Sequence, residues 1–188
     1  MIEKRRGASA PVSVSPDIAR MDGVVAPEVL TAMRAADRIL TKAGIPHALI
    51  GGLAVGAHGY PRATRDADFL VGDGAFVRRR GVLTMRPEVP IDIRGVAIDT
   101  LWASSAEESA GIGLAIPGGK GVQVAPVEVL MAMKIRARRA QDDADVVGLI
   151  RAGVDEDAIR AALERFDPGL VGRFDQLAQQ ASAEGRRR

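Results

Sequence analysis

The sequence contains no cysteine and only two histidines, His47 and His58. The absence of cysteine excludes a disulfide framework and a thiolate metal site. Two histidines are too few for the histidine-based ligand sets of zinc centres, so we expect no zinc site of that kind.

Aromatic residues are also scarce, at 3% of the 188 residues, whereas apolar residues make up 47%. That apolar fraction is enough for a real core, which Leu, Val, Ile and Ala must fill. The length fits one domain, with or without a helical appendage. Because no aromatics are interleaved with the basic residues, base stacking on nucleic acid is not indicated.

Long apolar runs are missing as well. No segment approaches the ~18 consecutive apolar residues that would indicate a membrane span. The N-terminal residues lack the apolar stretch of a signal peptide. We therefore expect a cytoplasmic protein that does not associate with membranes.

The net charge is only +2, so the distribution of charge matters more than its sum. Three local basic clusters stand out at residues 78–80, 134–139 and 186–188. Each cluster can be a solvated face or a disordered end. A cluster that lies near an active site can instead steer a polyanion toward it.

The most informative stretch is residues 47–71, HALIGGLAVGAHGYPRATRDADFLV. A short apolar strand ends in Gly51 and Gly52, a helical segment follows, and two acids then lead into a second apolar strand. Glycines between a strand and a helix let backbone N–H groups approach an anion closely. The other interpretation of this glycine pair is a tight turn without a ligand.

The two acids that precede the second strand are Asp66 and Asp68. On a strand, residues two apart point to one face, so these carboxylates can converge on a hard cation such as Mg²⁺. A phosphate cradle beside a carboxylate pair is what phosphoryl or nucleotidyl transfer requires. The alternative is a solvated strand edge.

A third carboxylate, Asp99, lies in the middle of the apolar segment VAIDTLW. An unpaired buried carboxylate is costly and is normally neutralised, paired or placed on a metal. A neighbouring strand would bring Asp99 to the face of the other two acids. Asp99 at an exposed strand end or paired with an arginine is the alternative, and Asp92 is the rival third acid.

This order of motifs resembles the DNA polymerase beta-like nucleotidyltransferase superfamily, and most closely its bacterial branch of AbiEii-type toxins. The likeness covers residues 44–152 and includes the later segment PVEVLMAMKIRARRAQDDADVVGLI. It implies a Mg²⁺-dependent enzyme, with Mn²⁺ as an alternative ion. Such an enzyme transfers a nucleoside monophosphate from an NTP to a hydroxyl group of RNA (tRNA) or protein.

The resemblance also implies roles for individual residues. Asp66 and Asp68 would hold the metal, and Asp99 would be the third metal-site carboxylate and help to activate the attacking hydroxyl. Four further residues would bind the nucleotide, namely Gly51, Gly52, Arg65 and Lys134. Without the resemblance, Lys134 would be interpreted as a solvated lysine.

These observations predict an α/β (α+β) fold, a nucleotidyltransferase-type mixed sheet flanked by helices with a helical C-terminal portion. We expect a mobile arm over residues 1–26, a core over 27–125 and a helical region over 126–188. Helices are predicted at 27–43, 53–58, 75–80, 126–139, 142–150, 155–166 and 168–181. Strands are predicted at 45–50, 66–71, 82–85, 91–94 and 96–104, with an edge strand at 122–124.

Besides a plain nucleic-acid-binding domain, against which the small net charge and the few aromatic residues count, three functions remain open at this point. The first is a toxin-like nucleotidyltransferase that acts with a cognate partner protein. The second is a catalytically silent, nucleotide-binding antitoxin or regulatory partner with the same fold. A small-molecule (antibiotic) nucleotidyltransferase is compatible with the same motifs, because a fold does not fix the substrate.

Overall fold

A mixed six-stranded sheet with helices packed on it forms the computed structural model, which describes residues 15–185. The strands are β1 (His47–Ile50), β2 (Ala67–Val71), β3 (Phe76–Arg79), β4 (Val82–Met85), β5 (Asp92–Ile93), β6 (Val96–Trp102), β7 (Ile116–Pro117) and β8 (Gln123–Val124). The order in the sheet is β5-β6-β2-β1-β8-β7, while β3 and β4 form a separate hairpin. The predicted α/β (α+β) class is confirmed.

Seven α-helices accompany these strands within residues 15–185. They are α1 (Pro27–Lys42), α2 (Gly51–Ala57), α3 (Ala106–Gly113), α4 (Val127–Ala137), α5 (Ala140–Arg151), α6 (Glu156–Phe166) and α7 (Val171–Gly185). Helix α1 packs across β1, β2, β5 and β6, whereas α2 and α3 pack on β1 and β2. Helix α4 joins the sheet portion to the C-terminal helices, since it contacts α2, α3, α5 and α6.

Strand β2 lies between β1 and β6 in the sheet, and this placement brings the acids together. It runs antiparallel to β1, with Ile50 opposite Asp68, and parallel to β6, with Asp68 opposite Asp99. Along β6, Val96 and Ile98 are buried, so Asp99 lies on the other face of the sheet. Register partners on neighbouring strands share a face, and Asp68 and Asp99 are therefore adjacent.

The prediction of a mobile arm over residues 1–26 is wrong for residues 15–26, the part of the arm that the structure describes. Residues Ile18–Met21 form a 3-10 helix, capped by the Asp17 side chain, and both Ile18 and Met21 are fully buried. These two apolar side chains join the main core, so burial of apolar surface holds the segment in place. Residues 1–14 lie outside the described residues, as does the basic cluster 186–188.

Two other local predictions need correction. Residues 75–80, expected as a short helix, contain strand β3, because Phe76–Arg79 pair with β4 in a hairpin. The segment 122–124 is not at the edge of the sheet. Strand β8 pairs with β1 on one side and with β7 on the other.

The remaining predicted elements are present with small shifts at their ends. Gly51 and Gly52, expected as a turn, form the first turn of α2. Asp155 caps α6 through its side chain, as its position before a helical segment predicts. Within residues 15–185, no helix combines the length and the apolar composition needed to cross a bilayer.

Candidate active site

The three acids singled out in the sequence lie together at one edge of the β2–β6 pair. One carboxylate oxygen from each of Asp66, Asp68 and Asp99 lies within 4.8 Å of the other two. Asp66 and Asp68 are partly buried, whereas Asp99 is exposed. The expectation that Asp99 is buried is therefore wrong, and strand register rather than burial places it in the cluster.

Asp66 is held by a neighbouring side chain. The Thr64 hydroxyl donates a hydrogen bond of 2.6 Å to Asp66 Oδ1. A charge-assisted bond of this length fixes the direction of the carboxylate and leaves its second oxygen available to a ligand.

Gly51 is required where it stands for two separate reasons. Its φ of +66° is a left-handed conformation that L side chains rarely adopt. In addition, a Cβ atom at Gly51 would lie 1.8 Å from Asp68 Oδ2, so no side chain fits beside the carboxylate. The glycine therefore lets Asp68 lie directly against the start of α2.

The environment of Asp68 disfavours its charged form. Burial, followed by repulsion from Asp66 and Asp99, raises the pKa of Asp68 to about 6. Lys134 and the backbone N–H of Gly52, which donates a hydrogen bond to the carboxylate, act in the opposite direction. A cation bound beside Asp68 would favour the charged form of this carboxylate.

Lys134 lies close to the acids but is held by two other carboxylates. Its side chain is only 9% exposed, and Nζ lies 2.8 Å from Asp142 Oδ1 and 2.9 Å from Asp145 Oδ2. An ammonium group has three donors, so these two bonds leave one N–H for a ligand. The interpretation of Lys134 as a solvated lysine is wrong.

The turn between α4 and α5 produces this arrangement. Arg138 adopts a left-handed conformation at the end of α4, and α5 begins two residues later. Asp142 in the first turn of α5 and Asp145 three residues on then face Lys134. Asp142 also accepts a 2.6 Å hydrogen bond from Arg139 Nε.

Asp145 additionally binds an arginine from the loop before β2. Arg62 Nε donates to Asp145 Oδ1 at 2.6 Å, and Arg62 Nη2 donates to Oδ2 at 2.8 Å. Burial raises the pKa of Asp145, but the hydrogen bonds from Arg62 and Lys134 outweigh it, and the pKa is lowered overall. The pKa of Asp142 is also lowered, because the hydrogen bonds from Arg139 and Lys134 outweigh the effect of burial.

A cleft of about 430 Å³ opens beside these groups. Asp68, Asp99 and Gly51 line one part of it, and Lys134 and Arg139 line another. Its apolar wall consists of Ile50, Leu101, Leu130, Met133 and Ala137. The volume and the mixture of an apolar wall with a few charged groups are typical of a site for a small organic ligand.

The structure thus brings six of the seven predicted site residues into one region. Gly52 lies next to the cleft, because its backbone N–H donates a hydrogen bond to the Asp68 carboxylate, which lines the cleft. Arg65 differs from the others, since it is exposed and does not line the cleft. The rival acid Asp92 instead accepts a hydrogen bond from the Gly95 N–H in the β5–β6 turn.

Sequence reasoning missed Arg62 and Thr64. One signal was available, because Arg62, Thr64, Asp66 and Asp68 are spaced two apart, which places them on one side of an extended chain. The partner of Arg62 could not be found this way, since Asp145 lies on a helix far along the chain.

The donor set fits a hard divalent cation. Three carboxylates supply oxygen ligands, and oxygen is what Mg²⁺ and Mn²⁺ prefer. Burial, and then the charges of Asp66 and Asp99, raise the pKa of Asp68, and a bound cation would offset both effects. Within residues 15–185, this is the only group of three or more potential ligand residues close enough to hold a metal ion.

The sequence matches no protein-family model and no curated protein. Among solved structures, the chain is similar to the crystal structure of an antigenic nucleotidyltransferase-like protein from Paracoccidioides brasiliensis. The identity is 18%, the match covers 85% of this chain and 94% of that chain, and the TM-score is 0.47.

Proposed function

We propose that this protein is a Mg²⁺-dependent nucleotidyltransferase that transfers a nucleoside monophosphate from an NTP to a hydroxyl group. The observation that carries the proposal is the cluster of Asp66, Asp68 and Asp99 at the mouth of a cleft that also holds a buried lysine. Mn²⁺ can replace Mg²⁺ in such an oxygen site.

The reaction forms one P–O bond and breaks another. The acceptor hydroxyl oxygen attacks the α-phosphorus, the bond from that phosphorus to the oxygen bridging to the β-phosphate breaks, and pyrophosphate leaves. The hydroxyl proton passes to a base, and the exposed Asp99 is the acid of the cluster that an incoming acceptor can reach. Bound Mg²⁺ supplies neutralisation of phosphate charge and polarisation of the phosphoryl oxygen.

The other residues of the cleft bind and orient the nucleotide. Asp66 and Asp68 hold the metal ion. The free N–H of Lys134 binds a phosphate oxygen, and the triphosphate lies along the cleft beside Gly51, with Gly52 next to it at the start of α2. The apolar wall formed by Leu130 and Met133 accommodates the nucleoside. Arg65, exposed outside the cleft, remains a candidate for contact with the outer phosphates.

For the acceptor we propose a hydroxyl of RNA (tRNA) or of a protein, in a toxin-antitoxin system with a cognate partner. Two features support an acceptor larger than a metabolite. Asp99 and the β6 residue Leu101 are exposed, so the acceptor side of the cleft is open to a macromolecule. The sequence likeness to AbiEii-type toxins points the same way.

Label transfer tests this proposal. The protein is incubated with Mg²⁺, each α-labelled NTP in turn and total RNA, with the Asp66→Ala/Asp68→Ala variant in parallel. Label on RNA, or on the protein itself, that disappears in the variant and with EDTA supports the enzyme and names the acceptor class.

Two other outcomes identify the competing functions. Label that appears only when small hydroxyl compounds such as aminoglycosides are added indicates an antibiotic-type transferase. Mg²⁺-dependent nucleotide binding without transfer to any acceptor indicates the silent antitoxin or regulatory partner. An absence of nucleotide binding would contradict the site assignment altogether.

A substitution at Asp99 separates chemistry from binding. We expect Asp99→Asn to bind nucleotide but to lose transfer by roughly 10²-fold or more, because general-base catalysis contributes on that scale. Asp92→Asn is the matched control, since Asp92 is an exposed acid on the neighbouring strand, outside the cluster. Equal loss of transfer in both variants would remove Asp99 from the proposed mechanism.

A further inference from the structure

The segment that leads into β2 carries a row of polar side chains on one side. Arg62, Thr64, Asp66 and Asp68 are all partly buried. The residues between them differ in their exposure, since Ala63 and Arg65 are exposed to solvent and Ala67 is buried. The row has two acids at one end and an arginine at the other.

The arginine end of this row is fixed to α5. Arg62 and Asp145 form a bidentate pair through two hydrogen bonds of 2.6 and 2.8 Å. The Asp145 side chain is fully buried, and Gln141 Nε2 and Lys134 Nζ also bind it. A bidentate arginine–carboxylate pair specifies direction as well as distance, which a single ion contact does not.

The middle of the row packs against Gly52, in the first turn of α2. A Cβ atom at Gly52 would meet both Thr64 Oγ1 and Arg62 Nη1 at close to 3 Å. The two side chains therefore pack against the bare backbone of α2, with little room to move toward it. Thr64 in turn holds Asp66 through the 2.6 Å hydrogen bond.

From these contacts we propose that Arg62 and Asp145 are positioning residues for the acid cluster. Asp145 fixes Arg62, the short loop that follows Arg62 places Thr64, and Thr64 orients Asp66 toward Asp68 and Asp99. The same Asp145 binds Lys134, so one buried carboxylate sets the distance between the metal-binding acids and the phosphate-binding lysine. This inference rests on the proposed function, because it assumes that the acid cluster binds a cation.

The direct test is to measure Mn²⁺ binding to the protein by electron paramagnetic resonance, without nucleotide. We expect Asp145→Asn and Thr64→Val to weaken Mn²⁺ binding by about tenfold or more, the usual effect of removing a group that orients a metal ligand. Thr64→Ser keeps the hydroxyl and is expected to bind within about twofold of the wild type.

Asp143→Asn is the matched control for Asp145→Asn. Asp143 lies on the same helix and forms an ion pair of 2.6 Å, but its partner is Arg173 of α7, away from the cleft. We expect this variant to retain wild-type Mn²⁺ affinity. A purely structural role of the α5 carboxylates would weaken binding in both variants alike.

Hydrogen exchange gives a second readout that does not require metal. In Asp145→Asn, the amides of residues 62–66 are expected to exchange faster, while those of α1 keep their wild-type rates. Asp143→Asn should leave the 62–66 amides unchanged.

The outcomes separate this inference from the proposed function. If the wild type binds Mn²⁺ and a folded Asp145→Asn variant binds it equally well, the positioning role is overturned and the metal site stands. If Asp145→Asn does not fold, unchanged affinity in Thr64→Val overturns the role. If the wild type itself does not bind Mn²⁺, the proposed metal site fails, and this inference fails with it.

Discussion

At the scale of single residues, the candidate site works against the stability of the chain. Asp68 lies in a half-buried position beside two other acids, and its pKa is raised by that burial and repulsion. Residues selected only for stability would not include three carboxylates within 4.8 Å of one another. Such a cost is typical of a binding site that a cation completes.

Asp68→Asn is therefore expected to stabilise the metal-free protein at pH 7. The folded-state pKa of about 6 lies above the ordinary value of 3.8, so ionising Asp68 costs folding free energy as the pH rises through that interval. Asparagine removes this cost, on the order of 2 kcal/mol. Thermal unfolding in EDTA should show a higher Tm for the variant, and added Mg²⁺ should raise the Tm of the wild type alone. A lower Tm in EDTA would contradict the repulsion.

Gly51→Ala tests the contact between the first residue of α2 and the Asp68 carboxylate. Gly44→Ala is the matched control, because Gly44 has a φ of +67° against +66° at Gly51 but no atom within 4 Å of the added Cβ. We expect Gly44→Ala to cost about 1 kcal/mol of unfolding free energy, from backbone strain alone. Gly51→Ala should cost clearly more and should also weaken Mn²⁺ binding, because the methyl group displaces Asp68. Equal costs in urea denaturation would refute the steric argument.

At the scale of elements, a short N-terminal segment supports the glycine-rich helix behind the site. The 3-10 helix Ile18–Met21 packs against α2, and a Cβ atom at Gly56 would lie 1.8 Å from Met21 Sδ. Arg20 Nη1 also donates to the Ala57 carbonyl at 2.5 Å, near the end of α2. The segment before α1 thus belongs to the core that holds α2 in place.

Met21→Ala is expected to lower the unfolding free energy by about 2–4 kcal/mol, because it leaves a cavity at a fully buried position. Val24→Ala, at a side chain that is 38% exposed, should cost well under 1 kcal/mol. Chemical denaturation of both variants makes the comparison. A Met21→Ala cost as small as that of Val24→Ala would show that the segment does not contribute to the core.

At the scale of the whole molecule, the site joins three parts of the chain. Strands β2 and β6 bring the acids together, and α4 and α5 bring Lys134 with its two carboxylate partners. The ion pairs that hold the α5 acids make global stability depend on pH. Both Asp142 and Asp145 have pKa values below the ordinary 3.8 despite their burial.

The sign of this dependence follows from proton binding. A carboxyl group whose pKa is lowered on folding binds fewer protons in the folded than in the unfolded state, so stability is lost as the pH falls below about 4. We expect the unfolding free energy of the wild type to fall over that range and the Asp145→Asn variant to show a shallower slope. Urea denaturation between pH 5 and 2.5 checks this. Equal slopes would mean that the Arg62 and Lys134 contacts do not stabilise the charged form of Asp145.

Several local parts of this protein can be predicted from patterns of neighbouring residues. The apolar spacing of residues 27–43, the strand–glycine–helix unit and the pair Asp66 and Asp68 all follow from patterns within a few residues, because backbone periodicity and glycine conformation are local properties. The same patterns gave the wrong element at residues 75–80, where pairing between Phe76–Arg79 and β4 decides the structure. They also gave a mobile arm where Ile18 and Met21 are buried.

Packing between distant elements determines which residues meet at the site. Asp99 joins the acids through the register of β6 on β2, not through burial, and Lys134 becomes a buried ion-paired group through the turn into α5. The pairing of Arg62 with Asp145 spans 83 positions. Such contacts depend on how elements pack against one another, and no local pattern of apolar and polar residues specifies that.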